Sequence, residues 1–143
     1  MSAFMDRSYR IAADGRTVVC DAVAGRADID VLGEALAWRR DELSRTGMQD
    51  ADAVLALRAL MTLDDLLGAA AGEEAILTLT RPQALMLCEI AGSYVTGRDV
   101  ESYQSPEERD RIARLRALAG PLMDTCCELA AAEDEARERL LTV

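Results

Sequence analysis

The sequence contains no histidine and no lysine, and each absence removes a class of function. Without histidine there is no Ser–His or Cys–His catalytic pair, no histidine-ligated metal, and no side chain whose ordinary pKa lies near neutrality. All 16 basic residues are arginine, as is typical of a GC-rich genome, and 26 acidic residues outnumber them. The net charge of −10 repels nucleic-acid backbones and anionic lipid, so we expect no direct nucleic-acid binding and no membrane binding.

Aromatic residues, long apolar runs and paired cysteine motifs are scarce or absent as well. Only five of the 143 residues are aromatic, and the abundance of alanine and leucine favours helices. No apolar stretch approaches the roughly 18 residues of a membrane helix, and no secretory signal pattern is visible. The four cysteines form no Cys-x-x-Cys motif. We therefore expect reduced thiols, buried as small hydrophobic side chains, in a cytoplasmic protein.

The longest helical pattern runs from Ser105 to Leu141. Ser105-Pro106-Glu107-Glu108 has the residue types of a helix start: a serine cap, a proline in the first turn, and a glutamate that can complete a capping box. Apolar residues then recur at alternating steps of three and four, which predicts one apolar stripe. Gly120-Pro121 predicts a kink or a break, and the unchanged apolar phase favours a kink. We expect residues 124–141 to offer a partner surface.

Three shorter helices are predicted upstream. The first begins at an Asp28 or Asp30 cap, and the third follows a Thr80 cap and ends at Gly97. The second, reaching about residue 70, is apolar around most of its circumference, which is typical of a helix buried at the centre of a core or in a dimer seam. The residues expected to face inward on the third helix are Leu85, Cys88, Ala91 and Val95, with Leu87, Ile90 and Tyr94 widening that face.

The N-terminal segment has the pattern of a β-hairpin. Asp14-Gly15 is suited to a tight turn between Tyr9–Ala13 and Arg16–Cys20, and residues 75–80 can supply the third strand that a hairpin needs for stability. We predict a mainly α fold with minor β: four helices, the last long and kinked, plus a small antiparallel β element. Residues 1–27 form a hairpin or arm and 28–143 a helical domain. The alternative is an all-α bundle with a flexible N-terminal arm.

Carboxylate pairs occur along the chain, but they lack the partners that metal binding or catalysis requires. Helical di-metal sites combine glutamates with a histidine three residues further on, which this sequence cannot provide. Glu133 lies in the apolar stripe of the last helix, where we expect it to reach solvent rather than a metal. There is no phosphate-binding glycine loop and no nucleophile elbow. We therefore expect no enzyme activity, no metal and no cofactor.

The surplus of apolar helix favours a non-catalytic adaptor or regulatory module that binds a protein partner, or a second copy of itself, through a helical face. Trp38 beside Arg39 combines residue types that are enriched in interface hot spots. Arg109 and Arg116 flank the apolar stripe of the last helix, where charges pair with a facing helix. The partner-binding candidates are Trp38, Arg39, Asp41, Glu42, Arg109, Arg116, Glu133, Asp134, Glu135 and Glu138.

A second hypothesis rests on the acidity. A small protein of charge −10 without catalytic residues could imitate phosphate groups and block a basic nucleic-acid channel, in the manner of anti-CRISPR or anti-restriction inhibitors from phages and other mobile elements. The carboxylates nominated for this role are Asp41, Glu42, Asp50 and Asp52 in one group, and Glu133, Asp134, Glu135 and Glu138 in another. Carboxylates that are scattered and paired with arginine would argue against it.

Overall fold

The computed structural model describes residues 4, 6–45, 51–99 and 104–141. In chain order its elements are β1 (Arg7–Ile11), β2 (Val18–Gly25), α1 (Arg26–Arg45), α2 (Ala51–Ala69), β3 (Glu74–Leu79), α3 (Arg81–Asp99) and α4 (Pro106–Leu141). The predicted class is confirmed: the fold is mainly helical, with four helices and a small antiparallel sheet.

The three strands form one antiparallel sheet in the order β1-β2-β3. The turn between β1 and β2 is the predicted Asp14-Gly15 turn, in which the Asp14 carboxylate accepts hydrogen bonds from the backbone N–H groups of Arg16 and Thr17, both at 2.8 Å. Gly15 has a φ of +74°, a conformation that glycine adopts without a steric cost. A hydrogen bond from the Thr17 hydroxyl, together with these two backbone bonds, holds the pKa of the Asp14 carboxyl at about 2, well below its usual range.

β2 is longer than predicted, and it pairs with β3, which is the third strand that the hairpin needs. It continues to Gly25 instead of ending at Cys20, and its added length pairs with β3, with Ala22 opposite Leu77. The buried core runs from the sheet into the helices without interruption. The alternative of an all-α bundle with a flexible arm is therefore wrong.

Arg26 fixes the start of α1, two residues before the earliest cap that the sequence predicts. Its backbone N–H donates to the Glu73 carbonyl at 2.8 Å, and its guanidinium donates to the carbonyls of Ala70 and Gly72. These bonds join the end of β2 to the connection between α2 and β3. The domain boundary expected between residues 27 and 28 consequently falls inside α1.

Two helices begin at the predicted caps. At α3, the Thr80 hydroxyl accepts the Gln83 backbone N–H at 3.4 Å, and the Gln83 side chain accepts the Thr80 N–H at 2.9 Å, which is a reciprocal capping box. At α4, the Ser105 hydroxyl accepts the Glu108 N–H at 3.1 Å. The Glu108 carboxylate accepts a bond from Tyr94 on α3 instead of returning to Ser105, so the predicted second half of that box does not form.

α3, α4 and the sheet enclose most of the core. The predicted stripe of α4 is buried at Leu115, Leu122 and Leu129, each fully removed from solvent, and the helix continues unbroken through Pro121. Most of the predicted inward face of α3 is buried or packed against the core, but Leu85 is 39 % exposed. The buried residues of α3 are Ala84, Leu87, Ile90, Ala91 and Tyr94.

α2 is not at the centre of the core, so that part of the prediction is wrong. It packs against α1 and makes few contacts with any other described element. Its buried residues, Ala53, Leu60, Leu63 and Leu67, lie on one side. On the other side, Val54, Leu55 and Met61 are exposed to solvent. Among the described residues, the apolar circumference of this helix therefore packs against protein along one face.

Candidate protein-binding cleft

An open cleft of about 920 Å³ lies between α1, α2 and α3. It exists because α1 packs against both of the other helices, whereas α2 and α3 hardly touch each other. The apolar side chains that line it are Trp38 and Leu43 from α1, Ala56 and Leu60 from α2, and Met86 and Ile90 from α3. The cleft therefore has an apolar surface reached directly from solvent.

The α3 wall of the cleft is built largely from small residues, namely Gly92, Ser93, Thr96 and Gly97. From Met86 to Gly97 this wall extends for about 17 Å, or roughly three helical turns. A Cβ atom added at Gly92 would meet nothing within 4 Å, so at this position the wall is not covered by another part of the described chain. Small residues on a helix allow another backbone to approach closely, which suits an incoming helix.

Trp38 lines the cleft, and its ring packs against Tyr94 and Gly97. Its ring meets Tyr94 edge-on, with ring centroids 5.4 Å apart and planes at 80°, a favourable aromatic geometry. It also lies against Gly97, where a Cβ atom would be 3.5 Å from the ring. The side chain is half-buried, so the sequence-based alternatives of core residue and interface residue both describe part of it. A second cleft of about 560 Å³ lies on its other side.

A polar network centred on Tyr94 supports the tryptophan. The Tyr94 hydroxyl donates to the Glu108 carboxylate at 2.9 Å, and the Arg111 guanidinium donates to the same carboxylate at 2.5 Å. Arg111 also pairs with Glu34 of α1, which joins three helices in one network. Burial raises the pKa of Tyr94 above its ordinary value, so this hydroxyl stays protonated as a donor.

The charges around the cleft are partly neutralised. Arg39 and Glu42 form an ion pair at 3.5 Å along α1, and both line the cleft. Glu89 of α3 adds a carboxylate to the opposite wall. Asp41 is exposed and lines the second cleft instead. Four of the predicted partner-binding residues therefore lie near each other, at the C-terminal half of α1.

The other predicted residues lie elsewhere. Arg109 and Arg116 are exposed on α4 and do not line the cleft. Glu133 pairs with Arg81 at 3.0 Å, at the start of α3, about 24 Å along that helix from Gly97. The remaining acidic candidates pair along α4 or are exposed there: Asp134 with Arg137, Glu135 with Arg139, and Glu138 in solvent. Asp52 is exposed, and Asp50 lies outside the described residues. The predicted partner-binding residues therefore do not form one surface.

A second polar cluster, which was not predicted from the sequence, joins the sheet to α4. The Arg7 guanidinium donates to both oxygens of Glu128, at 2.6 and 3.0 Å, and the Tyr9 hydroxyl donates to the same carboxylate. These bonds lower the pKa of Glu128 and, with the burial of Tyr9, raise the pKa of that phenol. Arg7 and Glu128 are 121 residues apart in the chain, so no local pattern links them.

The remaining side chains of chemical interest are the cysteine thiols and the potential metal ligands. Burial raises the pKa of Cys20 to about 11 and also raises the pKa values of Cys88 and Cys126, which keeps these thiols protonated and weakly nucleophilic near neutrality. Within the described ranges, no three cysteine, aspartate or glutamate side chains are arranged to hold a metal ion. None of the helices described there is long and apolar enough to cross a bilayer.

Comparison of the chain with protein-family models, with curated proteins and with solved structures found no match.

Proposed function

We propose that this protein is a non-catalytic binding module whose cleft between α1, α2 and α3 receives an amphipathic helix of a partner protein. The observation that carries the proposal is the separation of α2 from α3, which leaves a channel lined by the partly exposed side chains of Trp38, Leu43, Ala56 and Met86 and by the buried side chains of Leu60 and Ile90. Binding of a helix in such a groove buries apolar area at positions i, i+3 or i+4, and i+7 of the ligand.

The dimensions and the lining favour a helix over a small molecule. A channel of about 17 Å accommodates the two to three turns that carry such anchor residues. Apolar and small residues predominate in its lining, and two of its charged groups, Arg39 and Glu42, pair with each other, whereas small-molecule sites use polar groups placed to fix one orientation. Trp38 is positioned as a central contact, because the Tyr94 network holds its ring and an ordered side chain loses little entropy on binding.

The module acts, in this proposal, in the cytoplasm, where its free thiols remain reduced.

The acidic-inhibitor hypothesis receives no support from the surface. Glu42, Glu133, Asp134 and Glu135 each form an ion pair with an arginine, and Glu42 and Glu133, one from each nominated group, lie near opposite ends of α3. A phosphate mimic needs unpaired carboxylates along one surface.

A substitution that fills the cleft tests the proposal. Gly92→Arg places a long side chain in the channel without a clash, and replacing a helical glycine raises the helix propensity. The matched control is Gly68→Arg on α2, where an added Cβ also meets nothing within 4 Å and the position does not line the cleft. Affinity purification from the native host should recover a partner with the wild-type protein and with Gly68→Arg, but not with Gly92→Arg.

A photo-crosslinking residue at Ser93 identifies what occupies the cleft. We expect the crosslinked peptide, located by mass spectrometry, to be an amphipathic helical segment of that same partner. Two results would contradict the proposal: a partner that binds Gly92→Arg as strongly as the wild-type protein, or crosslinks from Ser93 that reach only a second copy of this chain.

A further inference from the structure

β3 is an edge strand whose outer side has no partner in the described chain. It lies at one end of the strand order and pairs with β2 on its other side. No described backbone group outside β2 hydrogen-bonds to residues 74–79. Alternate N–H and C=O groups along that outer edge therefore face solvent, where they can pair with a further strand.

The two edges of the sheet differ in how they are protected against such pairing. β1 has two arginines in five residues, at Arg7 and Arg10, and charged side chains discourage strand addition. β3 has one charged residue, Glu74, at its first position, and contains no proline. Ile76 in the middle of β3 is 67 % exposed, more than any other large apolar side chain described. β3 is the edge at which strand addition is least opposed.

The residues that flank β3 are self-complementary in charge. Glu73 and Glu74 lie at its start, and Arg81 follows its end. No described ion pair occupies the Glu73 carboxylate, and its backbone carbonyl is fixed by the Arg26 N–H at 2.8 Å. Arg81 contacts Glu133 at 3.0 Å, but a guanidinium has five N–H donors and can bind a second carboxylate. Two copies of β3 in antiparallel orientation would place acidic ends opposite basic ends.

We propose that β3 pairs with β3 of a second copy of this chain, in antiparallel orientation about a two-fold axis, to form a continuous six-stranded sheet. Side chains alternate between the two faces, so the helix-covered faces of both copies lie on the same side only if residues of like parity are paired. Among such registers, the one with Leu77 opposite Leu77 places Glu73 opposite Arg81 of the second copy. The two-fold axis makes this ion pair occur twice.

This register also covers the exposed apolar residue. Ile76 lies opposite Thr78 of the second copy, on the face away from the helices, and each copy contributes the same pair. Backbone hydrogen bonds would supply the affinity, and the flanking charges would select the second copy and the register. The contact uses no residue of the cleft, so it stands or falls separately from the proposed function.

A charge exchange between two variants tests this arrangement. Glu73→Arg alone and Arg81→Glu alone each place like charges opposite one another twice, whereas a mixture of the two variants forms only opposite-charge pairs. Arg81→Glu loses the ion pair with Glu133, but the new carboxylate lies at the favourable N-terminal end of a helix dipole, and circular dichroism checks that this variant is folded. By sedimentation velocity, we expect the wild-type protein to dimerise, each single variant to dimerise about tenfold more weakly or worse, and the equimolar mixture to regain the wild-type dimer.

Ile76→Lys tests the contribution of the exposed apolar side chain of β3 to the dimer. Its matched control is Ile11→Lys on β1, since Ile11 is also an exposed isoleucine on an edge strand. Ile76→Lys should abolish the dimer and Ile11→Lys should leave it unchanged, with circular dichroism showing that both variants are folded. The proposal is overturned if the wild-type protein is monomeric up to about 1 mM, if the mixture of charge variants stays monomeric, or if both lysine variants dissociate equally.

Discussion

α4 and α2 are both long apolar helices, but the fold surrounds one and leaves the other on the outside. α4 packs against α1, α3 and β2, whereas α2 packs against α1. Leu122 of α4 is fully buried, while Leu55 of α2 is 62 % exposed, although α2 has the larger share of apolar residues. The number of neighbouring elements, and not the apolar content of a helix, decides how much of its surface is removed from water.

The polar contacts reinforce this difference. α4 is joined to α3 through the Glu108–Tyr94 hydrogen bond and to the sheet through Glu128, whose partner Arg7 has a side chain only 13 % exposed. α2 has an ion pair to α1, between Arg40 and Asp64, in which both side chains are more than one-third exposed. Exposed pairs of this kind contribute little to stability. We therefore expect α2 to open more readily than α3 and α4.

The largest effects should come from truncating buried leucines in the two helices. Leu122→Ala on α4 and Leu63→Ala on α2 each remove a side chain that is at most 1 % exposed, and each should lower the free energy of unfolding by about 2–5 kcal/mol. The two substitutions should differ in how many elements show faster amide hydrogen exchange. Leu63→Ala should speed amide hydrogen exchange mainly within α2, because α2 contacts few other elements, whereas Leu122→Ala should speed it across α3, α4 and the sheet.

Hydrogen exchange read by mass spectrometry gives the protection of each helix separately. If Leu63→Ala deprotected α4 as strongly as Leu122→Ala does, α2 and α4 would belong to one cooperative unit, and the contrast between a surrounded and a peripheral helix would be wrong.

A smaller effect is expected at the contact between α4 and the sheet. Glu128→Gln should lower the free energy of unfolding by no more than about 1 kcal/mol, because the mostly buried Arg7 loses a charged acceptor, while the 47 % exposure of the Glu128 side chain lets solvent screen the pair. The effect should depend on pH. Since Arg7 and Tyr9 lower the pKa of Glu128 in the folded protein, its stabilising contribution is present above the unfolded value of about 4.3 and is lost as the pH falls through the folded value.

Urea denaturation of wild-type protein and Glu128→Gln at several pH values measures this dependence. The difference between the two should be largest near neutrality and should narrow below about pH 4. Asp134→Asn is the matched control, because the Asp134–Arg137 pair is exposed on both sides. An equal and pH-independent loss in both variants would remove the distinction between these two contacts of α4.

The smallest effect should come from the outer face of α2. Met61 is 57 % exposed and does not line the cleft, so Met61→Gln should change the free energy of unfolding by no more than about 0.5 kcal/mol. Thermal denaturation followed by circular dichroism measures the change. A loss comparable to that of Leu63→Ala would mean that this face of α2 is covered in solution.

Much of the local structure could be predicted from the sequence. The caps at Thr80 and Ser105, the Asp14-Gly15 turn and the apolar stripe of α4 all depend on residues within a few positions of one another. The candidate site was predicted in part. Trp38, Arg39 and Glu42 were identified from their residue types, but the α2 and α3 walls of the cleft were not. The concentration of small residues between Gly92 and Gly97 is the signal that could have indicated the α3 wall.

By itself, the sequence determined the helices, the turn and the caps, because these features depend mainly on residues within a few positions of one another. Tertiary structure alone decided which apolar faces are buried. α2 has a sequence suited to the centre of a core and lies at its edge, since among the described elements α1 is the one that packs extensively against it. Glu108 had a local partner at Ser105 and bonds to Tyr94 instead, because the folded chain brings a buried hydroxyl to the same carboxylate. The cleft and the open edge of β3 arise in the same way, from the spacing between elements that are far apart in the sequence.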